Sequence, residues 1–182
     1  MTQVLSLHLL MPEDRDAAFR VFEEAIPAAF EEQEIGHETY AIEREIETKK
    51  ELVERSLDAS ETSVTFLVAK RGGEVVGTIS FAPCGHEIQV CTDHELDAVG
   101  ELGSLYVRPN VQNQGIGSAL IRELLTHLRE RGIERFCLDS GYWAAQKRWR
   151  RKFGEPYKVV DDFWGPGSPH MIWLCHVDEM GG

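Results

Sequence analysis

The sequence predicts an α/β fold in which a mixed β-sheet is covered by helices. Its 182 residues are enough for one compact domain and too few for two of ordinary size. Hydrophobic residues make up 42% and charged residues 27%, a balance typical of folded globular proteins rather than of disordered or fibrous ones. Strand-like and helix-like segments alternate along the chain without a repeat or a linker. We therefore expect a single domain over residues 1–182.

The first sixty residues predict one strand followed by two helices. The apolar run Val4–Leu10 suits a strand, and Asp14–Ala25 suits a helix that we expect Pro27 to end or bend. The segment Glu38–Leu57 predicts the second helix, because its apolar residues recur at helical spacing with charged residues elsewhere. The residues of this apolar stripe are Ile42, Ile46, Val53 and Leu57.

The middle of the chain predicts a β-hairpin, a loop and a further strand. Val64–Lys70 and Glu74–Ala82 are rich in β-branched residues and are separated by a turn containing a Gly-Gly pair, which is typical of a hairpin. The polar segment Pro83–Asp97 predicts a loop. Gly100–Val107 suits another strand, which the proline two residues later brings to an end.

The rest of the chain predicts two helices and three strands. Gly115–Arg131 has the most regular helical pattern and is followed by a glycine suited to a C-cap. Glu134–Asp139 suits a strand and Tyr142–Phe153 a helix. Tyr157–Asp161 and His170–Val177 suit the final strands. The order along the chain is therefore β-α-α-β-β-β-α-β-α-β-β, which is consistent with a mixed sheet between helices.

Net charge and cysteine usage exclude several classes of partner and location. Nineteen Lys and Arg residues against thirty-one Asp and Glu residues give a formal net charge of −12 and a pI near 5.0. Binding to duplex nucleic acid requires a basic face, so we expect no nucleic-acid partner, and the same acidity disfavours anionic membranes. No apolar run is long enough for a transmembrane helix, and no Lys or Arg precedes Arg15 as a signal peptide would need. Four dispersed cysteines predict free thiols in a reducing cytoplasm.

A turn with two glycines, at the start of the most regular helix, predicts a phosphate-binding site. The preceding strand ends near Pro109, and the pattern Gln112-x-x-Gly115-x-Gly117 leads into the helix. Helix N-termini carry unpaired N–H groups and partial positive charge, and a glycine lets a phosphate approach the backbone closely. A Walker A loop is excluded because no Gly-Lys-Ser/Thr is present, and Leu120 stands where the dinucleotide fingerprint has Gly or Ala. The alternative is a strand–turn–helix with two incidental glycines.

The stretch from Glu101 to Leu125 resembles the acetyl-coenzyme A signature of the GNAT N-acetyltransferase superfamily. In that pattern a strand ends in Leu-Tyr-Val-x-Pro, and Gln/Arg-x-x-Gly-x-Gly/Ala then opens a helix, in the register found in this chain. The order of the predicted elements also follows the family's fold over nearly the whole sequence. The resemblance implies an α/β (α+β) domain with a mixed, mostly antiparallel central sheet of about seven strands and about four flanking helices. It also implies acetyl-coenzyme A as co-substrate.

The resemblance assigns the coenzyme to one continuous segment of the chain. The backbone of Leu105–Val107 is expected to bind the pantetheine arm, and Gln112–Ser118 is expected to cradle the pyrophosphate. The cofactor-binding residues so implied are Leu105, Tyr106, Val107, Gln112, Asn113, Gln114, Gly115, Ile116, Gly117 and Ser118.

Acyl transfer from a thioester to an amine needs three things from the protein. These are a donor to the developing oxyanion, an acceptor for the amine proton and an acid for the departing thiolate. In this family the donor is typically a backbone N–H on the strand before the phosphate loop, which implies Val107. Glu101 stands where many relatives carry a glutamate that acts as base or holds a water. Strand alternation predicts that Glu101, Gly103, Leu105 and Val107 face the same way. The alternative for Glu101 is a solvated carboxylate on an edge strand.

The general acid is where the sequence departs from the family pattern. Relatives often carry a tyrosine at the position that Trp149 fits best here, and an indole N–H has no useful acidity. Tyr142 and Tyr106 are candidates for another phenol in this role, and we take Tyr142 as the third candidate catalytic residue beside Glu101 and Val107. The remaining alternative is that the thiolate leaves unassisted, since a thiol pKa near 8.5 makes it a tolerable leaving group.

Charge is distributed unevenly along the chain. The first sixty residues contain fifteen acidic and six basic side chains, whereas Lys147–Lys152 contains five basic side chains in six residues. In this family the early helices usually border the acceptor pocket, so the acidic region favours a cationic amine, either a small molecule or a peptide. The alternative is an ordinary charged helix surface. For the basic cluster the alternatives are a contact with the 3′-phosphate of coenzyme A and a solvated helix face.

Two further features leave alternatives open. Cys84, His86, Cys91 and His94 are residue types that bind zinc, but their spacing matches no zinc module, so we expect scattered loop residues and no metal site. Trp164 is expected to be a packing residue. The alternative is that it is exposed at a sheet edge, where it would support the formation of a homodimer.

Taken together, these patterns predict an N-acetyltransferase that moves an acetyl group from acetyl-coenzyme A to a primary amine by direct nucleophilic attack. The alternative is a coenzyme A-binding regulatory or sensing module with little transferase activity, which the tryptophan at position 149 favours. No motif identifies the acceptor.

Overall fold

The computed structural model describes residues 4–180, which contain seven strands and five helices. The strands are β1 (Leu5–Leu9), β2 (Thr65–Arg71), β3 (Glu74–Pro83), β4 (Gly100–Val107), β5 (Arg135–Ser140), β6 (Lys158–Val160) and β7 (His170–His176). The helices are α1 (Arg15–Glu32), α2 (Thr39–Leu57), α3 (His86–Cys91), α4 (Ile116–Glu130) and α5 (Trp143–Phe153). Short 3-10 turns cover Pro12–Asp14, Pro109–Val111 and Val177–Met180.

The strands form one mixed sheet in the order β1-β2-β3-β4-β5-β7-β6. Neighbouring strands pair antiparallel in β1–β2, β2–β3, β5–β7 and β6–β7. Strands β4 and β5 pair in parallel, with Glu101 opposite Cys137. The predicted mixed, mostly antiparallel sheet of about seven strands is confirmed.

The described residues fall into two compact units. The first comprises residues 4–81 and 103–124, and the second comprises residues 82–102 and 125–180. The single domain over residues 1–182 stays a prediction, and its ends, residues 1–3 and 181–182, lie outside the described residues.

The core of the first unit lies between its strands and helices α1 and α4. The rings of Phe22 on α1 and Phe66 on β2 meet edge to face with centroids 6.4 Å apart. Ile116 and Leu120 on α4 are fully buried. A Cβ at Gly77 of β3 would lie 3.2 Å from side-chain atoms of both, so the absence of a side chain there lets α4 approach the strand closely.

The core of the second unit is rich in sulfur. Its main cluster consists of Cys84, Ile88, Cys91, Leu96, Val99, Cys137 and Ile172. Trp173 on β7 is fully buried, and its indole N–H donates to the carbonyl of Gly154 over 2.9 Å. A buried indole needs such an acceptor, so Trp173 is a packing residue with a satisfied polar edge.

Two local predictions are wrong, and in both cases tertiary burial explains the difference. The loop expected at Pro83–Asp97 contains the helix α3, because Ile88 and Cys91, three residues apart, face the core of the second unit. The helix predicted over Asp14–Ala25 extends further: of the two effects expected of Pro27, an end to the helix does not occur, because α1 continues to Glu32 and buries Phe30. Proline removes one intrahelical hydrogen bond, and the burial of the aromatic ring offsets that loss.

Some of the carboxylates of α1 and α2 form ion pairs with basic side chains of the same two helices. The Nζ atom of Lys50 on α2 lies 2.8 Å from Oε1 of Glu23 on α1, and Arg15 of α1 pairs with Glu54 of α2. No helix among residues 4–180 combines the length and apolar character needed to cross a membrane.

Candidate active site

The segment between β4 and α4 is an open backbone cradle. Asn113 and Gly115 have left-handed backbones, with φ of 59° and 79°. Asparagine tolerates this conformation and glycine adopts it freely, so the sequence suits the turn. A Cβ at Gly115 or Gly117 would meet no protein atom within 4 Å. The space beside both glycines is therefore open, and helix N-termini in general offer unpaired N–H groups to anions.

Two glutamines attach this cradle to the strands beneath it. The Gln112 amide donates to the carbonyl of Val107 over 3.1 Å, which ties the loop to the end of β4. The side-chain oxygen of Gln114 accepts from Nη1 of Arg71, at the end of β2, over 2.5 Å. The sequence motif did not suggest Arg71, because this residue lies 43 positions from its partner.

The other residues of the predicted coenzyme segment divide between core and surface. Ile116 is only 1% exposed, so its side chain belongs to the core, whereas Ser118 is exposed on the first turn of α4. Leu105 and Val107 are half-buried on β4. All ten predicted cofactor-binding residues lie in the first compact unit.

The orientation of the backbone N–H groups at the end of β4 follows from a hydrogen bond to β3. The N–H of Arg108 donates to the carbonyl of Val76 over 2.9 Å. Successive N–H groups of an extended strand point to opposite sides, so the N–H of Val107 points away from β3. That Val107 offers this N–H to a ligand stays a prediction.

Tyr106 has a structural role that the sequence did not indicate. Its hydroxyl donates to Oε1 of Glu45 on α2 over 2.9 Å, and its ring meets Phe22 edge to face at 5.8 Å. The phenol thus links β4 to α1 and α2, which argues against its use as the general acid.

Glu101 lies in the second unit, at the start of β4. Its Oε2 accepts from the backbone N–H of Gly85 over 2.6 Å, and its backbone pairs with Cys137. The predicted common face of Glu101, Gly103, Leu105 and Val107 is not supported, because Ser104 has a left-handed φ of 50°. Such a residue breaks the two-residue alternation of a strand. The hydroxyl of Thr78 donates to the carbonyl of Ser104 over 2.8 Å and stabilises the irregularity.

The four cysteines are buried free thiols. Burial, followed by the charges of Asp97 and Glu101, raises the pKa of Cys84, and burial with the Glu101 carboxylate raises the pKa of Cys137. Burial also raises the pKa of Cys91 and raises that of Cys175 to about 12. These thiols stay protonated at neutral pH and are poor nucleophiles.

The Cys/His cluster of the α3 region does not converge. Cys84 and Cys91 are buried in the core, whereas His86 and His94 are exposed, and His94 pairs with Asp97 over 2.9 Å. Within residues 4–180, no three His, Cys, Asp or Glu side chains come together in a way that could hold a metal ion.

Tyr142 and Trp149 lie on or next to helix α5. Tyr142 is the half-buried N-cap residue, and its backbone N–H donates to Oγ of Ser140 over 3.0 Å. The ring of Trp149 packs against Phe153 with centroids 5.6 Å apart, and Phe153 in turn meets Phe136 of β5. Trp149 is therefore a packing residue.

The buried His170 joins Trp164 and Asp139 in a hydrogen-bonded chain that the sequence did not indicate. The indole N–H of Trp164 donates to Nδ1 of His170 over 3.0 Å, and Nε2 of His170 lies 2.8 Å from Oδ2 of Asp139. An indole N–H can only donate a hydrogen bond, so Nδ1 of His170 is the acceptor. Nε2 of His170 then carries the hydrogen and donates it in a hydrogen bond to Asp139. Trp164 also covers Gly141, where a Cβ would lie 2.5 Å from its Nε1. The predicted packing role of Trp164 fits these contacts, although its side chain is half exposed.

Comparison with known proteins decides the family. Residues 20–154, well over half of the chain, match the acetyltransferase (GNAT) family. The chain belongs to the GNAT acetyltransferase family. This GNAT chain also shares its fold with the PaiA N-acetyltransferase from Thermoplasma acidophilum, solved in complex with coenzyme A. The TM-score is 0.68 at 20% identity, covering 93% of this chain and 98% of that one.

Two curated relatives resemble the GNAT chain in sequence. The mycothiol acetyltransferase of Cellulomonas flavigena is 33% identical over 127 residues, covering 63% of this chain and 34% of that protein. The aminoalkylphosphonate N-acetyltransferase of Salmonella typhimurium is 31% identical over 103 residues, covering 49% and 63%. The match thus spans less than two thirds of the length of either relative.

The contact between Gly141 and Trp164 makes a prediction about stability. We expect Gly141→Ala to lower the free energy of unfolding by about 1–2 kcal/mol, because the new methyl group displaces the indole and breaks its hydrogen bond to His170. Urea unfolding measures the loss. In a Trp164→Ala background the same substitution should cost little, and fully additive losses would contradict the contact.

Proposed function

We propose that this GNAT protein is an N-acetyltransferase that moves an acetyl group from acetyl-coenzyme A to a primary amine by direct attack. One observation carries the proposal: the open backbone cradle at the start of α4, where a Cβ at Gly115 or Gly117 would meet no protein atom. The proposal treats residues 1–182 as one catalytic domain. A cytoplasmic location and a homodimer stay predictions.

The coenzyme phosphates would be held by Gln112–Ser118. The N–H groups of the first turn of α4 and the helix dipole favour an anion there. Ile116 anchors the turn in the core while its backbone faces the cradle, and the bond from Gln112 to the Val107 carbonyl keeps the loop against β4. Backbone donors carry this recognition, so the net charge of −12 does not prevent it.

Val107 is the proposed oxyanion donor. Acetyl-coenzyme A, when bound, supplies an activated thioester carbonyl for an amine to attack. The N–H of Val107 points away from β3, since its neighbour Arg108 donates toward that strand. A fixed N–H is an effective donor because it needs no reorganisation as negative charge develops.

Glu101 is the proposed base, acting directly or through a water. An amine with a pKa of about 10.4 is almost fully protonated at pH 7, so its proton must be accepted before it can attack. The hydrogen bond from Gly85 fixes the orientation of the Glu101 carboxylate. A carboxylate held in one orientation loses little conformational freedom when a substrate binds.

Tyr142 is the proposed acid for the departing thiolate. Trp149 offers no acidic proton, the hydroxyl of Tyr106 donates to Glu45, and the buried cysteines stay protonated through their raised pKa values. Tyr142 is half-buried and its backbone is held by Ser140 at the N-cap of α5.

The acceptor is proposed to be a primary amine, with a cationic one favoured. One relative is named for aminoalkylphosphonate, which carries an amine, and the first sixty residues of this chain are strongly acidic. Part of that acidity is paired, as in Lys50 with Glu23, so the attraction is weaker than the count of charges suggests.

A coenzyme A-binding module with little transferase activity is the second candidate. The observation that favours it is Trp149, which packs on Phe153 at the position where relatives often carry a tyrosine. Such a module would keep the phosphate cradle and lack an efficient acid.

Turnover separates these two functions. The purified protein is incubated with acetyl-coenzyme A and a panel containing a polyamine, an aminoglycoside, an aminoalkylphosphonate and a peptide with a free N-terminus. We expect release of free thiol, together with an acetylated amine detected by mass spectrometry, for at least one acceptor. Tight coenzyme binding without turnover would favour the binding module, and no coenzyme binding would contradict both candidates.

The base assignment predicts a pH-dependent defect for Glu101→Gln. Glutamine keeps an oxygen acceptor for the N–H of Gly85 but cannot take a proton, so kcat/KM should fall about a hundredfold at pH 7. The loss should shrink at high pH, where more of the amine is already neutral. Glu87→Gln on α3, a half-buried glutamate of the same unit, is the matched control. A pH–rate profile equal to that of the wild type would remove Glu101 from the mechanism.

The cradle predicts that Gly117→Trp folds but loses coenzyme affinity. Its side chain would enter space that no protein atom fills, so the urea midpoint should hardly change. The Kd for coenzyme A, measured by isothermal titration calorimetry, should rise at least about tenfold because the bulk blocks the N–H groups of the first turn. Glu123→Trp, at an exposed site on the same helix, should leave the Kd unchanged. An unaltered affinity of Gly117→Trp for coenzyme A would contradict this location of the phosphate site.

A further inference from the structure

Arg71 connects the β2–β3 hairpin to the phosphate cradle. It is the last residue of β2, and its Nη1 donates to Oε1 of Gln114 over 2.5 Å. Gln114 directly precedes Gly115, one of the two glycines that keep the cradle open. The guanidinium is thus in contact with the loop that would hold the coenzyme phosphates.

The donors of Arg71 are only partly used. Its Nε is buried and has no hydrogen-bond partner, the one such side-chain atom among residues 4–180. Among the same residues no carboxylate pairs with its guanidinium, and the Gln114 oxygen it contacts is neutral. A buried donor without an acceptor is costly, and a guanidinium whose partner is a neutral amide has no opposite charge beside it.

The neighbouring cations are neutralised by carboxylates. Lys70 pairs with the buried Asp14 over 2.6 Å, and Arg108 pairs with Glu24 over 2.8 Å. The loop Gln112–Ser118 contains no Lys or Arg. Arg71 therefore supplies an uncompensated positive charge beside a cradle that otherwise relies on backbone donors.

We propose that Arg71 is a coenzyme-binding residue, which orients the phosphate loop through Gln114 and turns its guanidinium to the phosphate groups when the coenzyme binds. This inference rests on the proposed function. Arginine suits the task because its fork of N–H donors matches phosphate oxygens, and a phosphate is a stronger acceptor than the amide oxygen of Gln114. The chemical class recognised is the phosphate ester or anhydride of a coenzyme, not its thioester.

Titration calorimetry with coenzyme A tests this role in the full chain. We expect Arg71→Ala to raise the Kd by about tenfold to a hundredfold, the effect of losing hydrogen bonds to a charged group. Arg71→Lys should recover part of the loss, because it restores the charge without the fork. Arg44→Ala, which removes an exposed arginine of α2 in the same unit, should bind like the wild type.

Salt dependence distinguishes a phosphate contact from a merely structural role. Between 50 mM and 500 mM NaCl the wild-type Kd should rise more steeply than that of Arg71→Ala, since screening weakens a charge contact that the variant lacks. Gln114→Ala keeps the charge and should keep the wild-type slope. An unchanged Kd, or a weakened Kd with an unchanged slope, would overturn the role of Arg71. A wild type that does not bind coenzyme A would instead overturn the proposed function, and the role of Arg71 with it.

Discussion

The approach of α4 to the sheet depends on the absence of a side chain at Gly77. A Cβ there would lie 3.2 Å from Ile116, Leu120 and the carbonyl oxygen of Tyr106, which is tighter than most packed contacts. Ile116 is the first residue of α4, so its burial fixes the helix N-terminus on β3. The loop from the end of β4 must then reach a fixed point in a few residues, and left-handed turns at Asn113 and Gly115 make this possible. The shape of the phosphate cradle is in this sense a consequence of packing beneath it.

Elements with a strong local pattern were predictable, and elements decided by distant contacts were not. Helix α4 and the β2–β3 hairpin follow from periodicity and from a Gly-Gly turn, both of which lie within one segment of sequence. Helix α3 has only Ile88 and Cys91 as apolar signals in a polar stretch, and its core partners come from elsewhere in the chain. Pro27 predicts an end or a bend, and the helix nevertheless continues far enough to bury Phe30. Local propensity is a weak prior when tertiary packing opposes it.

In the candidate site, too, the features set by local sequence could be predicted and those set by distant contacts could not. The segment proposed to bind the coenzyme could be recognised from the sequence, because its residues are contiguous and each backbone feature has a residue type suited to it. The side-chain hydrogen bonds that hold this segment in place could not be predicted. Arg71 and Gln114 are 43 residues apart in sequence, and Tyr106 and Glu45 are 61 residues apart. The left-handed Ser104 also has no residue signal, because neither glycine nor asparagine marks it. Strand alternation therefore gave a common face for Glu101 and Val107 that the backbone does not support.

A net negative charge is compatible with the proposed phosphate site because electrostatic effects are local. Free charges in solution are screened over about 8 Å at physiological salt, so the net charge of −12 says little about a group held in direct contact. Arg108 and Lys50 form ion pairs with Glu24 and Glu23 of α1. These ion pairs stabilise the packing of α1 against its neighbours. Arg71 touches the phosphate loop and has no such carboxylate. In the proposed site, one guanidinium in contact with the loop would therefore outweigh many distant carboxylates, and the surplus acidity would act on the amine acceptor of the proposed reaction.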